Sequence, residues 1–203
     1  MIEALEQAAG RPVSRETFER LGSYAELLRQ ENQRQNLVSA ATMDRLWDRH
    51  ILDSAQLVRF EPHDGASWAD IGSGAGLPGI VIACLVAGPV TLVEPRRLRA
   101  DFLRTTAEAL HLNITVEQAK AERITGKFDV ITGRAVASLP NFLSMCDHLS
   151  TKKTVWVLPK GKGAQSELAE ARRTWQGDFR VEPSATDADS KIIVGTEVRA
   201  KNR

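Results

Sequence analysis

Cysteine, histidine and membrane-length apolar runs are what this sequence has least of. Its two cysteines, Cys84 and Cys146, sit singly within apolar segments, which describes buried thiols better than a disulfide framework or a reactive site. The four histidines show no ligand spacing such as His-x-x-x-His, so no metal is expected. The longest apolar run, Gly79 to Pro89, is too short to span a bilayer, and the first residues lack the basic-then-apolar order of a signal peptide. A cytoplasmic protein that does not enter the membrane is therefore expected. A strong charge of one sign is also missing. The net charge of +1 argues against non-specific coating of nucleic acid, yet local basic clusters can still meet a phosphate backbone.

What is present has two textures. In residues 1–65, an N-terminal helical extension, Phe18, Leu21, Ala25 and Leu28 recur at helical spacing between Ser14 and Arg34, and Ser14 suits an N-cap. A second helix is expected from Thr42 to just before Pro62, carrying Leu46, Trp47, Ile51, Ala55 and Val58. In residues 66–203 strand-like runs alternate with helical ones, the pattern of a parallel sheet with crossover helices. Strands are expected at Trp68–Ile71, Val90–Glu94, Ile114–Glu117, Phe128–Thr132 and Val155–Leu158. Helices are expected near Pro78–Val86, Leu98–Leu110, Leu139–Leu149 and Gln165–Trp175. Phe179–Glu182 and Ile192–Val198 come last with no helix between them, which predicts a closing antiparallel hairpin. The fold class is α/β, a Rossmann-like, mostly parallel sheet with a C-terminal antiparallel hairpin, forming one compact unit with the extension.

The chemistry centres on "WADIGSGAGLPG", Trp68 to Gly79. In a doubly wound sheet the ligand sits beyond the carboxyl ends of the central strands, where glycines let the backbone approach it. Counted from Gly74, residues Gly74, Gly76 and Gly79 match the G-x-G-x-x-G of a dinucleotide site, with Glu94 20 residues on. Counted from Asp70, the same stretch reads acidic-x-Gly-x-Gly-x-Gly, which resembles class I methyltransferases that bind S-adenosylmethionine. A pyrophosphate wants no adjacent negative charge, whereas the ammonium of S-adenosylmethionine welcomes a carboxylate such as Asp70. Glu94 can accept from ribose hydroxyls under either reading. The chain also leaves no room for the catalytic domain of a typical dehydrogenase. A nicotinamide-dependent reductase stays open as an alternative, as does a non-catalytic RNA-binding or ribosome-assembly module that keeps the fold.

The residues after the fourth strand narrow the acceptor. Amino-group methyltransferases of nucleic acids usually carry Asn/Asp-Pro-Pro-Tyr/Phe there, but this chain has Thr132-Gly133-Arg134-Ala135. Carbon-5 methylation needs a cysteine nucleophile, and Cys146 lies mid-helix. An acceptor that is already nucleophilic, such as guanine N7, needs only alignment and desolvation and no dedicated general base. Small-molecule nitrogens and oxygens remain open.

Several motifs together resemble one family. "NLVSA" (Asn36–Ala40), "RHILDS" (Arg49–Ser54), "DIGSGAGLPG" (Asp70–Gly79), "AE" (Ala121–Glu122), "FDVITGRAVASL" (Phe128–Leu139) and "LPKG" (Leu158–Gly161) are similar to the RsmG or GidB family of bacterial methyltransferases, over nearly the whole chain. The resemblance implies S-adenosyl-L-methionine as cofactor and N7 of a guanine in 16S rRNA of the small ribosomal subunit as acceptor. It implies cofactor contacts at Gly72, Leu77, Ala121, Glu122 and Arg134, with Glu94 on the ribose; Asp70 and Gly74 complete the expected binding set. Gly133 stands where the family has Ser, and Lys120 where it has Arg. A monomer is the expected state.

Four further residues are candidates for positioning substrate. Arg49, His50 and Asp53 share a helix, so Arg49 and Asp53 can pair along one face; the family likeness brings His50 and Asp53 to the site instead. Arg134 ends the fourth strand at the sheet's open edge, beside the ligand crevice. Lys160, followed by glycines in "VLPKGKG", suits a phosphate contact, with a solvated loop lysine as the alternative. Arg96, Arg97, Arg99 and Arg104 crowd a helix start, where the dipole disfavours cations, and so suggest a negative partner.

Overall fold

A computed structural model describes residues 1–201, so the last two positions of the expected 66–203 unit lie outside the described residues. The chain opens with α1 (Ile2–Ala9), which the sequence pattern did not lead us to expect, ended by Gly10 in a left-handed conformation. α2 (Arg15–Gln35) begins at Ser14, whose hydroxyl accepts the Thr17 N–H at 3.0 Å, and stops at left-handed Asn36. The single helix expected after Thr42 is broken into four pieces. They are α3 (Ala40–Met43), a π-helical turn at Trp47–Ile51, α4 (Leu52–Ala55) and a 3-10 turn at Gln56–Phe60. Back-bonding loosens it: the Ser54 hydroxyl donates to the His50 carbonyl at 2.6 Å. π-Turns of this kind gather at functional sites.

β1 (Trp68–Ile71) then leads through a glycine turn into α5 (Gly79–Leu85), followed by β2 (Val90–Val93), α6 (Arg97–Ala109) and β3 (Ile114–Glu117). β4 (Val130–Thr132), α7 (Leu139–Cys146), β5 (Val155–Lys160) and α8 (Ala164–Ala171) complete the alternation. β6 (Trp175–Pro183) and β7 (Lys191–Ala200) form the expected hairpin. Trp175 therefore opens β6 instead of ending α8. β4 is shorter than expected because Asp129 turns its carboxylate onto the N–H and hydroxyl of Ser67.

The seven strands lie in the order β3-β2-β1-β4-β5-β7-β6. β1 to β5 pair in parallel, and β7 runs antiparallel to both β5 and β6. Alternation along β1 sends Trp68 into one apolar layer, with Tyr24, Ile51 and Ile80, and Ala69 into the other, with Phe142 and Trp156. Burial on both faces explains why these strands read as continuous apolar runs. The order reverses between β1 and β4, and at that switch point the sheet opens a crevice beyond its carboxyl edge.

Candidate active site

The glycine turn is built to lie close to a ligand and to its own helix. Gly72 has φ +72°, and a Cβ there would stand 2.8 Å from Val136 Cγ2; Gly76 has φ +89°, and its Cβ would collide with Ile80. No L side chain fits either place without displacement. Below the turn, Asp70 is 1% exposed, and its Oδ2 accepts the Gly79 N–H at 3.0 Å while Oδ1 has no partner among the described residues. Burial pushes its carboxyl up to about 6 against the pull of hydrogen bonds and of Arg134. Asp70 thus secures the start of α5 from beneath and does not line the cavity. Pro78 sits at the N-cap of α5, behind a cis Leu77–Pro78 bond, one position earlier than expected. From above, the Tyr24 hydroxyl on α2 donates to the Ala75 carbonyl at 2.9 Å, which is how the helical extension grips the turn.

Beyond the turn lies a cavity of about 700 Å³. Its lining includes Gly72, Gly74, Leu77 and Glu94 together with His50, Arg99 and Arg134. Glu94 comes directly after β2, is 3% exposed, and is held by the Gly74 N–H at 3.0 Å and the Arg96 N–H at 2.8 Å. Its carboxylate is pre-oriented by backbone, as a group meant to accept two hydroxyls requires.

Arg134 separates this cavity from a second, of about 310 Å³, whose lining includes Asp53, Gln56, Lys160, Glu167 and Lys191; Arg134 and Ala135 belong to both. The Arg134 guanidinium lies 3.1 Å from His50 Nδ1 and 3.6 Å from Asp53 Oδ2. Burial first, and then Arg134 and Arg49, lower the His50 pKa to about 4, so the ring is neutral. Arg49 does not pair with Asp53 as expected. It reaches Asp187 in the hairpin loop at 2.8 Å, while Asp53 Oδ1 accepts from Gln56 and Thr186, each at 2.9 Å. The broken helix and the hairpin supply each other's partners, which no local spacing displays.

Lys160 is not a flexible loop residue. Its side chain is 12% exposed, and Nζ donates to Glu167 Oε2 at 2.9 Å and to the Ala137 carbonyl at 3.0 Å. Ala121 is buried and Glu122 exposed in a 3-10 turn after β3, and neither lines the two cavities. Of the four arginines at α6, Arg97 and Arg104 pair with Asp101, while Arg96 and Arg99 face the larger cavity. Gly133 is forced by packing, because a Cβ would stand 2.6 Å from the Phe142 ring and 2.8 Å from the Ile71 carbonyl. Cys84 and Cys146 are buried, and desolvation pushes both thiols up to about 12. Tyr24, Gln56 and Glu167 were missed at the sequence level. Only Tyr24 left a signal there, as a lone polar ring on an apolar helix face.

The strand order, the acidic-x-Gly-x-Gly-x-Gly turn at the switch point and the carboxylate after β2 define a Rossmann-like domain of the S-adenosylmethionine-dependent methyltransferase class. Solved structures share the fold. A methyltransferase from Aquifex aeolicus is 14% identical with a TM-score of 0.58, covering 74% of this chain and 91% of that one. A mutant of MtNAS in complex with S-adenosylmethionine is 17% identical with a TM-score of 0.59, covering 88% and 74%. The model of the GidB family, described as rRNA small subunit methyltransferase G, matches residues 17–191. Proteins named ribosomal RNA small subunit methyltransferase G are 44% identical in Zymomonas mobilis and 43% identical in Rhizorhabdus wittichii, each covering 94% of this chain and 90% of the relative. The chain belongs to this family.

Proposed function

We propose that the chain transfers a methyl group from S-adenosylmethionine to N7 of one guanine in 16S rRNA of the small ribosomal subunit. The observation that carries this is the pair of adjoining clefts sharing the Arg134–Ala135 wall, one fitted to the cofactor and one left for the acceptor. The residues present fit the cofactor, because the Gly72 cradle would be filled by any Cβ and Glu94 stands ready for ribose hydroxyls. Gly72, Gly74, Leu77 and Glu94 would hold it, with Asp70 acting from beneath the turn. Ala121, Glu122 and Arg134 join them on the strength of the family likeness. When bound, the cofactor supplies an electrophilic methyl group on a sulfonium, which a lone pair can attack without loss of a proton.

The chain's own groups suit such an acceptor. His50 is neutral with both ring nitrogens engaged, and both thiols are protonated and buried, so neither is poised as a base or nucleophile. Arg134, steadied by His50 and Asp53, positions the base and offsets nearby phosphate charge, and Arg96 and Arg99 add to that field. The target guanine enters looped out of its helix, between the broken helical segment and the sheet's open edge. A cytoplasmic monomer acting on the ribosomal RNA or the small subunit completes the proposal; no helix among the described residues is long and apolar enough to cross a membrane. Incubating purified protein with labelled S-adenosylmethionine and ribosomal RNA from cells lacking the gene tests it. Label in small-subunit RNA is expected, and unlabelled RNA would contradict it.

A further inference from the structure

Lys160 and Glu167 meet in the second cleft, and neither is fully used by the fold. Lys160 has three N–H donors, two of which go to Glu167 and to the Ala137 carbonyl. Glu167 Oε2 accepts twice, from Lys160 at 2.9 Å and from the Leu139 N–H at 2.8 Å, while its Oε1 takes no partner among the described residues. One donor and one acceptor are therefore left over side by side, on side chains 12% and 30% exposed that line the same cleft. The other carboxylate there is already engaged: Asp53 gives Oδ1 to Gln56 and Thr186 and turns Oδ2 to Arg134.

Arg134, Lys160 and Lys191 also line this cleft, but Arg134 and Lys160 already face Asp53 and Glu167, and a phosphate would have to enter against those two carboxylates. A base edge suits the pair better. The Watson–Crick edge of guanine sets the O6 acceptor beside the N1–H and 2-amino donors, whereas adenine sets a donor beside an acceptor in the reverse sense. Resting on the methyl-transfer reading, the geometry points to Lys160 and Glu167 as the readers of the target base, Lys160 donating to O6 and Glu167 Oε1 accepting from N1–H and the 2-amino group. N7 takes no hydrogen bond from this pair and keeps its lone pair free. Lys160 thereby serves base recognition in place of the phosphate contact expected from sequence.

The test uses small-subunit RNA ligated so that the modified position carries guanosine or inosine, which lacks only the 2-amino group. Wild-type protein is expected to methylate guanosine about 10-fold faster than inosine, the effect of one charge-assisted hydrogen bond. Glu167→Gln keeps an acceptor for the Leu139 N–H, so binding of S-adenosylhomocysteine should be unchanged. Its rate on guanosine should fall about 100-fold, and the guanosine-to-inosine ratio should approach one. Lys160→Met should slow both bases alike and preserve the ratio, since both carry O6. A wild-type protein indifferent to the 2-amino group, or a Glu167→Gln variant whose ratio stays at the wild-type value, overturns the assignment while methyl transfer stands. Absence of transfer by the wild-type protein that still binds S-adenosylhomocysteine removes the methyl-transfer reading, and this assignment with it.

Discussion

Arg134 donates from Nη1 to Nδ1 of His50 at 3.1 Å, and because a guanidinium can only donate, that contact fixes the imidazole. Nδ1 is the acceptor, so Nε2 carries the proton and donates to Thr42 Oγ1 at 3.0 Å. The π-turn that carries His50 thus orients the one arginine shared by both clefts.

His50→Ala is expected to lower kcat/KM for RNA methylation about 10- to 100-fold, the range for a misplaced positioning group. His50→Asn, whose side-chain carbonyl can accept from Arg134, should recover part of the loss. Arg134→Ala should be worse than either. Steady-state kinetics with labelled cofactor reads this; equal rates for His50→Ala and wild type would show that Arg134 holds its place unaided.

Asp70 and His50 pull the pH dependence of stability in opposite directions. His50 falls from its ordinary 6.5 to about 4 in the fold, so the unfolded chain binds more protons between those values and stability rises with pH there. Asp70 rises from 3.8 to about 6, so the folded chain binds more protons and stability falls as pH rises through that window. Asp70→Asn should therefore melt with a steeper upward dependence on pH between about 4 and 6 than wild type. Thermal melts across that range check the sign, and a flatter curve would contradict it.

Tyr24→Phe removes the hydroxyl that bonds the Ala75 carbonyl, across 51 residues of sequence. A loss of about 1–2 kcal/mol in chemical denaturation is expected, the cost of a buried acceptor left unpaired. Binding of S-adenosylhomocysteine should weaken as well, because the glycine turn loses its tie to α2. Unchanged affinity would mean that α5 and Asp70 alone set the turn.

Gly133→Ser should destabilise the fold by about 1–3 kcal/mol, because the new Cβ overpacks against the Phe142 ring and the Ile71 carbonyl. A smaller residue at position 142 should make the serine tolerable. The double variant with Phe142→Leu is expected to lose less stability than the two single losses added together. Strict additivity in a double-mutant cycle would show that the ring is not what requires the glycine.

The five parallel strands, the hairpin and the glycine turn were legible because each is written locally, in apolar runs and in glycines that no other residue can replace. α1 was missed because it is a single short segment with no side-chain cap. The continuous helix expected after Thr42 failed for a different reason. Its apolar spacing is real, but His50, Asp53 and Gln56 find partners in the turn after β4 and in the hairpin loop, more than 80 positions away in sequence. Arg49 looked like an i,i+4 partner for Asp53 until the hairpin brought Asp187 within 2.8 Å. Lys160 looked mobile because Gly161 and Gly163 follow it, and only the placement of α8 against the end of β5 showed Glu167 beside it. Residues that line the turn could be named from sequence, whereas pairs that join distant elements could not.

The roles given to both clefts depend on one guanine of 16S rRNA receiving a methyl group at N7. Mass mapping of nucleosides in ribosomal RNA from cells with and without this gene tests it directly. The expected result is a single 7-methylguanosine in small-subunit RNA that is present with the gene, absent without it, and not restored by a copy carrying Arg134→Ala. Identical 7-methylguanosine content with and without the gene would contradict it.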